Sequence, residues 1–238
     1  MRQLEPANRH ASLDLIKWVA MATMVMDHLR YVWPDMNALF VIGRIAFPWF
    51  CLAIAANVGR TAKGQFYNDA NANYLCWIVV FAVISELQYR LLTPSTTTLN
   101  VMPTLMLGLM ICWGVHHKTR DSLLVAGASV LLACVLHSNL MYGAPGALLP
   151  AAFLLALQKP RSLWLVPAIT CVLANRWLAT AGFSSYSLTV FLVAVGAPVA
   201  GIWLVNHPVK MRIWPVRRWG YWFYPVHLGL LHLLRQVV

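Results

Sequence analysis

From residue 13 onward, apolar runs of 15 to 21 residues follow one another with only short polar linkers between them. This alternation constrains the fold more than any motif in the chain. The hydrocarbon core of a bilayer takes about 20 apolar residues of helix, and fewer suffice where a helix is buried among neighbours. The runs fall at 13–33, 38–58, 72–92, 99–115, 122–137, 143–157, 162–180, 186–205 and 220–236. In lipid, backbone groups must bond within their own segment, so each run is expected to be helical. The pattern predicts an all-α polytopic integral membrane helical bundle of about 9 transmembrane helices (8–10), a single transmembrane domain over residues 1–238.

Composition agrees: 60% of the residues are hydrophobic and 11% charged, and the mean hydropathy is +0.65. A soluble domain of this length is not built so. The net charge of +11 raises the question of nucleic acid, but no nucleic-acid-binding motif accompanies it and no such partner is expected. The basic residues sit in loops, and they alternate. One side holds twelve, Arg2, Arg9, Arg60, Lys63, Lys118, Arg120, Lys159, Arg161, Lys210, Arg212, Arg217 and Arg218; the other holds four, Arg30, Arg90, Arg176 and Arg235. That bias predicts a multi-pass protein of the bacterial inner membrane with a cytoplasmic N-terminus and, for an odd number of spans, an outer C-terminus. The stretch MRQLEPANRHASLDLIKW has no small-residue cleavage site after a short apolar core and reads as leading into a retained first span. Cys51, Cys76, Cys112, Cys134 and Cys171 lie singly in apolar runs, so neither a disulfide nor a metal site is expected.

Against this background the stretch MVMDHLRYVW, residues 24–33, is conspicuous. Charges at membrane depth are costly, face the bundle interior and mark function. The first two runs form a hairpin turning at Pro34–Asn37, in which residues whose numbers sum to about 71–72 lie level. Asp27 and His28 are then level with Arg44 in GRIAFPWF. Glu86, six residues before the end of its span, lies at a similar depth. Four ionisable groups from three helices are thus expected in one layer. Adjacent helical residues diverge by about 100°, so Asp27 is assigned to an ion pair with Arg44 and His28 to a cavity, the reverse remaining open. His28 suits a general base, since imidazole titrates near neutrality. Glu86 suits an orienting group or a contact to a cationic substrate. A bland alternative is that Asp27 and Arg44 only pin two helices together.

The last run, RRWGYWFYPVHLGLLHLLR, holds Tyr224 and His227. Counted from its inner end, His227 falls well below His28, so the pair would line one channel at two depths. Arg60, Lys63, Lys210, Arg217 and Arg218 in the inner loops suit an anionic ligand such as a nucleotide phosphate, although topology alone also explains them. No Walker loop, GxGxxG, GxSxG or HExxH occurs, which removes the commonest soluble-enzyme readings.

LDLIKWVAMATMVMDHLRYVW, followed by GRIAFPWF and by WFYPVHLGLL near the C-terminus, resembles the TraX family, polytopic inner-membrane proteins typified by the acetylase of conjugative F-type pilin. The family is distantly similar to membrane-bound acyltransferases of polysaccharides and heparan glucosamine. The resemblance implies an acetyltransferase that uses cytoplasmic acetyl-CoA as acetyl donor and acetylates a pilin N-terminal amine or another membrane or envelope acceptor. Carried over by motif position, its residues here are Asp27, His28, Arg44, Pro48, Tyr224 and His227. It further implies that inner basic residues hold the 3′-phospho-ADP head while the pantetheine arm reaches up to the polar layer. His28 then removes a proton from the acceptor or forms an acetyl-histidine, and Arg44 stabilises the oxyanion. Competing readings are a proton- or ion-coupled transporter using the same charges and a non-catalytic pilin-binding scaffold.

Overall fold

The computed structural model describes residues 6–158, 161–207, 209 and 211–238, with side chains from residue 11 onward. Every described regular element is helical: α1 (Pro6–Leu29), α2 (Ala38–Gly43), α3 (Ala46–Val58), α4 (Asp69–Leu92), α5 (Val101–His117), α6 (Arg120–Val135), α7 (Gly143–Gln158), α8 (Leu165–Ala174) after a single 3₁₀ turn, α9 (Trp177–Thr180), α10 (Ser185–Asn206) and α11 (Trp219–Val237). Each apolar run of the sequence lies on one helix or on a short series of them.

Among the described residues, three helical stretches are long and apolar enough to cross a bilayer: Ala38–Val58, Asp69–Leu92 and Ser185–Asn206; α5, α7 and Arg161–Ala174 are apolar but shorter. The surface confirms the solvent. Val83 and Leu87 of α4, Leu131 and Val135 of α6 and Leu192 of α10 all project outward. A water-soluble monomer does not display apolar faces on this scale. The chain is a membrane protein.

At the centre stands α3, packed against α1, α5, α7 and α10. Its alanines bring backbones close, which is how helices associate without a hydrophobic drive between them; Cys51, Leu52 and Ala55 are fully enclosed. Helix α4 packs on α11, and α6 on α5 and α7 at the periphery. Two boundaries matter for the site. Pro48 has no N–H to return to the Arg44 carbonyl and its ring crowds that carbonyl, so the helix breaks between Gly43 and Ala46 with Arg44 in the break. The seventh run, expected as one span over 162–180, breaks at Asn175 between α8 and α9. Asn175 is buried, and its amide turns back on the Cys171 carbonyl at 2.8 Å.

Candidate functional site

Asp27 closes the last turn of α1 and meets the α2–α3 break. Its carboxylate accepts from Arg44 Nη2 at 3.4 Å to each oxygen and from Arg30 Nε at 3.1 Å. The level counted from the hairpin thus matches the Asp27–Arg44 contact. Gly43 makes the approach possible, because a Cβ there would overlap the Asp27 side chain. Arg44 also donates to the Phe40 carbonyl at 3.2 Å and to Asn175 Oδ1 at 3.4 Å, with the Phe40 ring 4.0 Å beneath its guanidinium. Four anchors hold one planar fork, a geometry lysine does not reproduce. Arg30 and Asn175 entered the site unforeseen: Arg30 reads as a loop anchor, and Asn175 as one polar residue in an apolar run.

His28 diverges from Asp27, as successive helical residues must, and both line one cavity. Its partner corrects the sequence reading. His227 does not lie below it: His28 Nδ1 and His227 Nε2 are 2.8 Å apart, and both rings are buried. The discrepancy arises in the segment before α11. Instead of running along the membrane surface, it climbs the side of α1. Val209 N–H donates to Ser12 Oγ, Val216 N–H to Asp14 Oδ1, Lys17 Nζ to the Val216 carbonyl, and Trp18 Nε1 to the Trp214 carbonyl. Helix α11 therefore starts level with Trp18, whose ring meets that of Trp219 at 5.3 Å. His227 is eight residues beyond Trp219 and His28 ten beyond Trp18, roughly 12 and 15 Å at the helical rise.

Two cavities meet at this layer. The one toward the α1–α2 turn, the outer cavity, of about 230 Å³, is lined by Asp27, His28, Arg30 and Arg44 and by Tyr31, Tyr89, Thr96, Thr98, Tyr142 and Tyr224. The one toward the start of α11, the inner cavity, of about 270 Å³, is mostly apolar, with Lys17, Asn57, Tyr74, Arg217 and Tyr221 among its lining. Met24, Phe50, Val101 and Tyr224 border both, so the cavities abut. The Tyr224 hydroxyl accepts from Val101 N–H at 3.4 Å, which fixes its ring at the junction.

Glu86 does not line this outer cavity. It accepts from Arg90 Nε at 2.7 Å, from Asn100 N–H at 2.9 Å and from Asn100 Nδ2 at 2.7 Å. Asn100 in turn caps α5. Depth along a helix was legible, but the side chain points to the α4–α5 turn. The basic residues also separate. Arg217 lines the inner cavity together with Lys17, a residue the sequence reading passed over. Arg218 is exposed, its guanidinium 5.9 Å from the Trp77 ring centroid. Arg60 borders a separate cavity of about 80 Å³ with Leu13, Gln158 and Val205. Lys63 is exposed, and Lys210 lies outside the described residues. Among the described residues no cluster of three His, Cys, Asp or Glu side chains is placed to hold a metal ion.

An uncharacterized protein of Rickettsia prowazekii (strain Madrid E) is 29% identical over 96 residues, which is 40% of this chain and 34% of that protein. The chain thus matches only about a third of its relative's length. No solved structure matches. A family model described as "TraX protein" matches residues 12–235, which takes in the Asp27–His28 pair, the Arg44 break and the His227 helix together. The chain belongs to the TraX family.

Proposed function

We propose that this chain is a multi-pass inner-membrane acetyltransferase, N-terminus cytoplasmic, that carries acetyl from cytoplasmic acetyl-CoA to an acceptor at the outer side. The N-terminal amine of a conjugative pilin is the acceptor that family membership favours. One observation carries the reading: the two cavities abut, with cations at one end and the His28–Arg44 layer at the other. Eleven residues of helix separate Lys17 from His28, roughly 16 Å. An extended pantetheine arm has that reach. Its phosphates suit Lys17 and Arg217, and its thioester then stands beside Tyr224 and His28.

The chemistry follows from the groups present. The acceptor nitrogen attacks the thioester carbon, and His28 takes the proton that the nitrogen sheds. The carbonyl oxygen, gaining negative charge, receives hydrogen bonds from the Arg44 guanidinium or the Tyr142 hydroxyl. The intermediate collapses, the carbon–sulfur bond breaks, and the thiolate takes the proton from His28 to leave as CoA thiol. An amide has formed and a thioester has been consumed. Base assistance of this kind contributes about 10²–10⁴-fold.

The test is thiol release from acetyl-CoA by purified protein in nanodiscs, with and without a pilin-like peptide bearing a free N-terminus. Peptide-dependent release that disappears in His28→Ala supports the proposal. Folded protein that binds no acetyl-CoA overturns it and leaves a transporter as the better account of the buried charges.

A further inference from the structure

We infer that His227 is a positioning residue that fixes the tautomer of His28, so that Nε2 is the atom His28 offers to the outer cavity. This rests on the reading of His28 as the base. The Phe223 carbonyl can only accept a hydrogen bond, and His227 Nδ1 lies 2.9 Å from it, so the proton of His227 is on Nδ1. Its Nε2 then carries a bare lone pair. That nitrogen is 2.8 Å from His28 Nδ1, which must therefore donate. His28 is left with its own lone pair on Nε2.

The ring geometry agrees. The two rings are 9° from parallel with centroids 5.1 Å apart. The centroid distance exceeds the N···N distance by about one ring width, so the rings lie edge to edge in nearly one plane, in line for N–H···N. They are not stacked face to face. Phe223 stacks on His227 at 5.1 Å, and Tyr224 flanks it at 5.6 Å, which restricts its rotation. Among the described residues no carboxylate touches either ring. The nearby acid, Asp27, is occupied by Arg30 and Arg44, so neither imidazole has a counter-ion for a resting positive charge. His28 Nε2 has no hydrogen-bond partner among the described residues, yet it is not among the sealed unpartnered polar atoms, and His28 lines the outer cavity.

The chain Phe223 C=O, His227, His28 thus ends in a lone pair facing the reacting groups. When His28 accepts the acceptor's proton at Nε2, its Nδ1–H becomes a charge-assisted donor to His227 Nε2, a stronger bond than the neutral one. His227 keeps its own proton throughout. It does the orienting that a third group does for the base of a catalytic triad, here without a carboxylate.

Solid-state ¹⁵N NMR of histidine-labelled protein in lipid vesicles reads the tautomer directly. The His28 signals are identified by their loss in His28→Gln. Wild type is expected to show His28 protonated on Nδ1 and bare on Nε2. His227→Gln, whose amide oxygen accepts in place of Nε2, should keep that state, and His227→Ala should lose it. Thiol release should fall about 10²–10⁴-fold in kcat for His227→Ala with KM for acetyl-CoA unchanged, and recover in large part in His227→Gln. A wild-type His28 protonated on Nε2, or a His227→Ala protein with tautomer and rate unchanged, overturns the inference. If His227→Ala does not fold, the wild-type spectrum and the glutamine variant decide. The expected tautomers with no turnover of acetyl-CoA by any protein would leave the positioning of His28 by His227 standing and remove the acetyltransferase reading.

Discussion

Gly43→Ala isolates the contact on which the polar layer depends. A Cβ at position 43 falls 2.5 Å from Asp27 Cγ and Oδ1, about 0.9 Å short of ordinary van der Waals contact. It also meets Asp27 Cβ, which is fixed to the α1 backbone, so no rotamer change relieves the overlap. The two helices must separate. A shift of about 0.9 Å lengthens the 3.4 Å Asp27–Arg44 contact beyond ion-pair reach and carries the adjoining His28 with it. Stability is a poor reporter here. Overpacking costs about 1–3 kcal/mol, while replacing a helical glycine by alanine returns up to about 1 kcal/mol, so the net falls anywhere from about zero to about 3 kcal/mol. Rate is the better reporter, since misplacing reacting groups by about 1 Å lowers turnover about 10²-fold. The assay is peptide-dependent thiol release per folded protein, with Gly127→Ala as control because a Cβ there meets nothing within 4 Å. A Gly43→Ala rate close to that of wild type would refute the claim that this close approach sets the geometry of the site.

Arg44→Lys keeps the charge but gives up the planar fork that reaches Asp27, Asn175 and the Phe40 carbonyl; kcat should fall about 10²–10³-fold as for loss of an oxyanion donor, and an unchanged kcat would exclude Arg44 from transition-state stabilisation. Met24→Trp fills the junction of the two cavities; acetyl-CoA should still bind in equilibrium dialysis while transfer drops about 10²-fold or more, and undiminished transfer would separate the cavities functionally. Arg217→Glu should raise the acetyl-CoA Kd about tenfold and weaken its salt dependence; an unchanged Kd at matched salt would leave Arg217 as a topology signal. Glu86→Gln removes the charge from the bonds to Arg90 and Asn100, which should cost about 1.5–3 kcal/mol in a denaturation assay with the rate of the folded protein intact, whereas a changed KM for the acceptor would return Glu86 to the site.

The sequence alone determined the class of molecule, the extent of each apolar run and the level at which Asp27 and His28 meet Arg44, while which of the two pairs with Arg44 was decided by the structure. Hydrophobic run length is set by bilayer thickness, and a tight hairpin makes depth a matter of counting residues from its turn. Neither rule says where a helix begins when its preceding segment is not helical. Val209, Trp214 and Val216 follow α1 by hydrogen bonds to Ser12, Asp14, Lys17 and Trp18, and that path lifts His227 to the level of His28. Nor does depth give azimuth, which is why Glu86 turned to Asn100 rather than to the charged layer. Lys17 and Asn175 had no periodic or motif signal; they matter only because one lines the inner cavity beside Arg217 and the other sits where Arg44 needs an acceptor. The identity of the ionisable residues was written in the chain, while their conversion into a histidine pair at the junction of two cavities required helices distant in sequence to pack side by side.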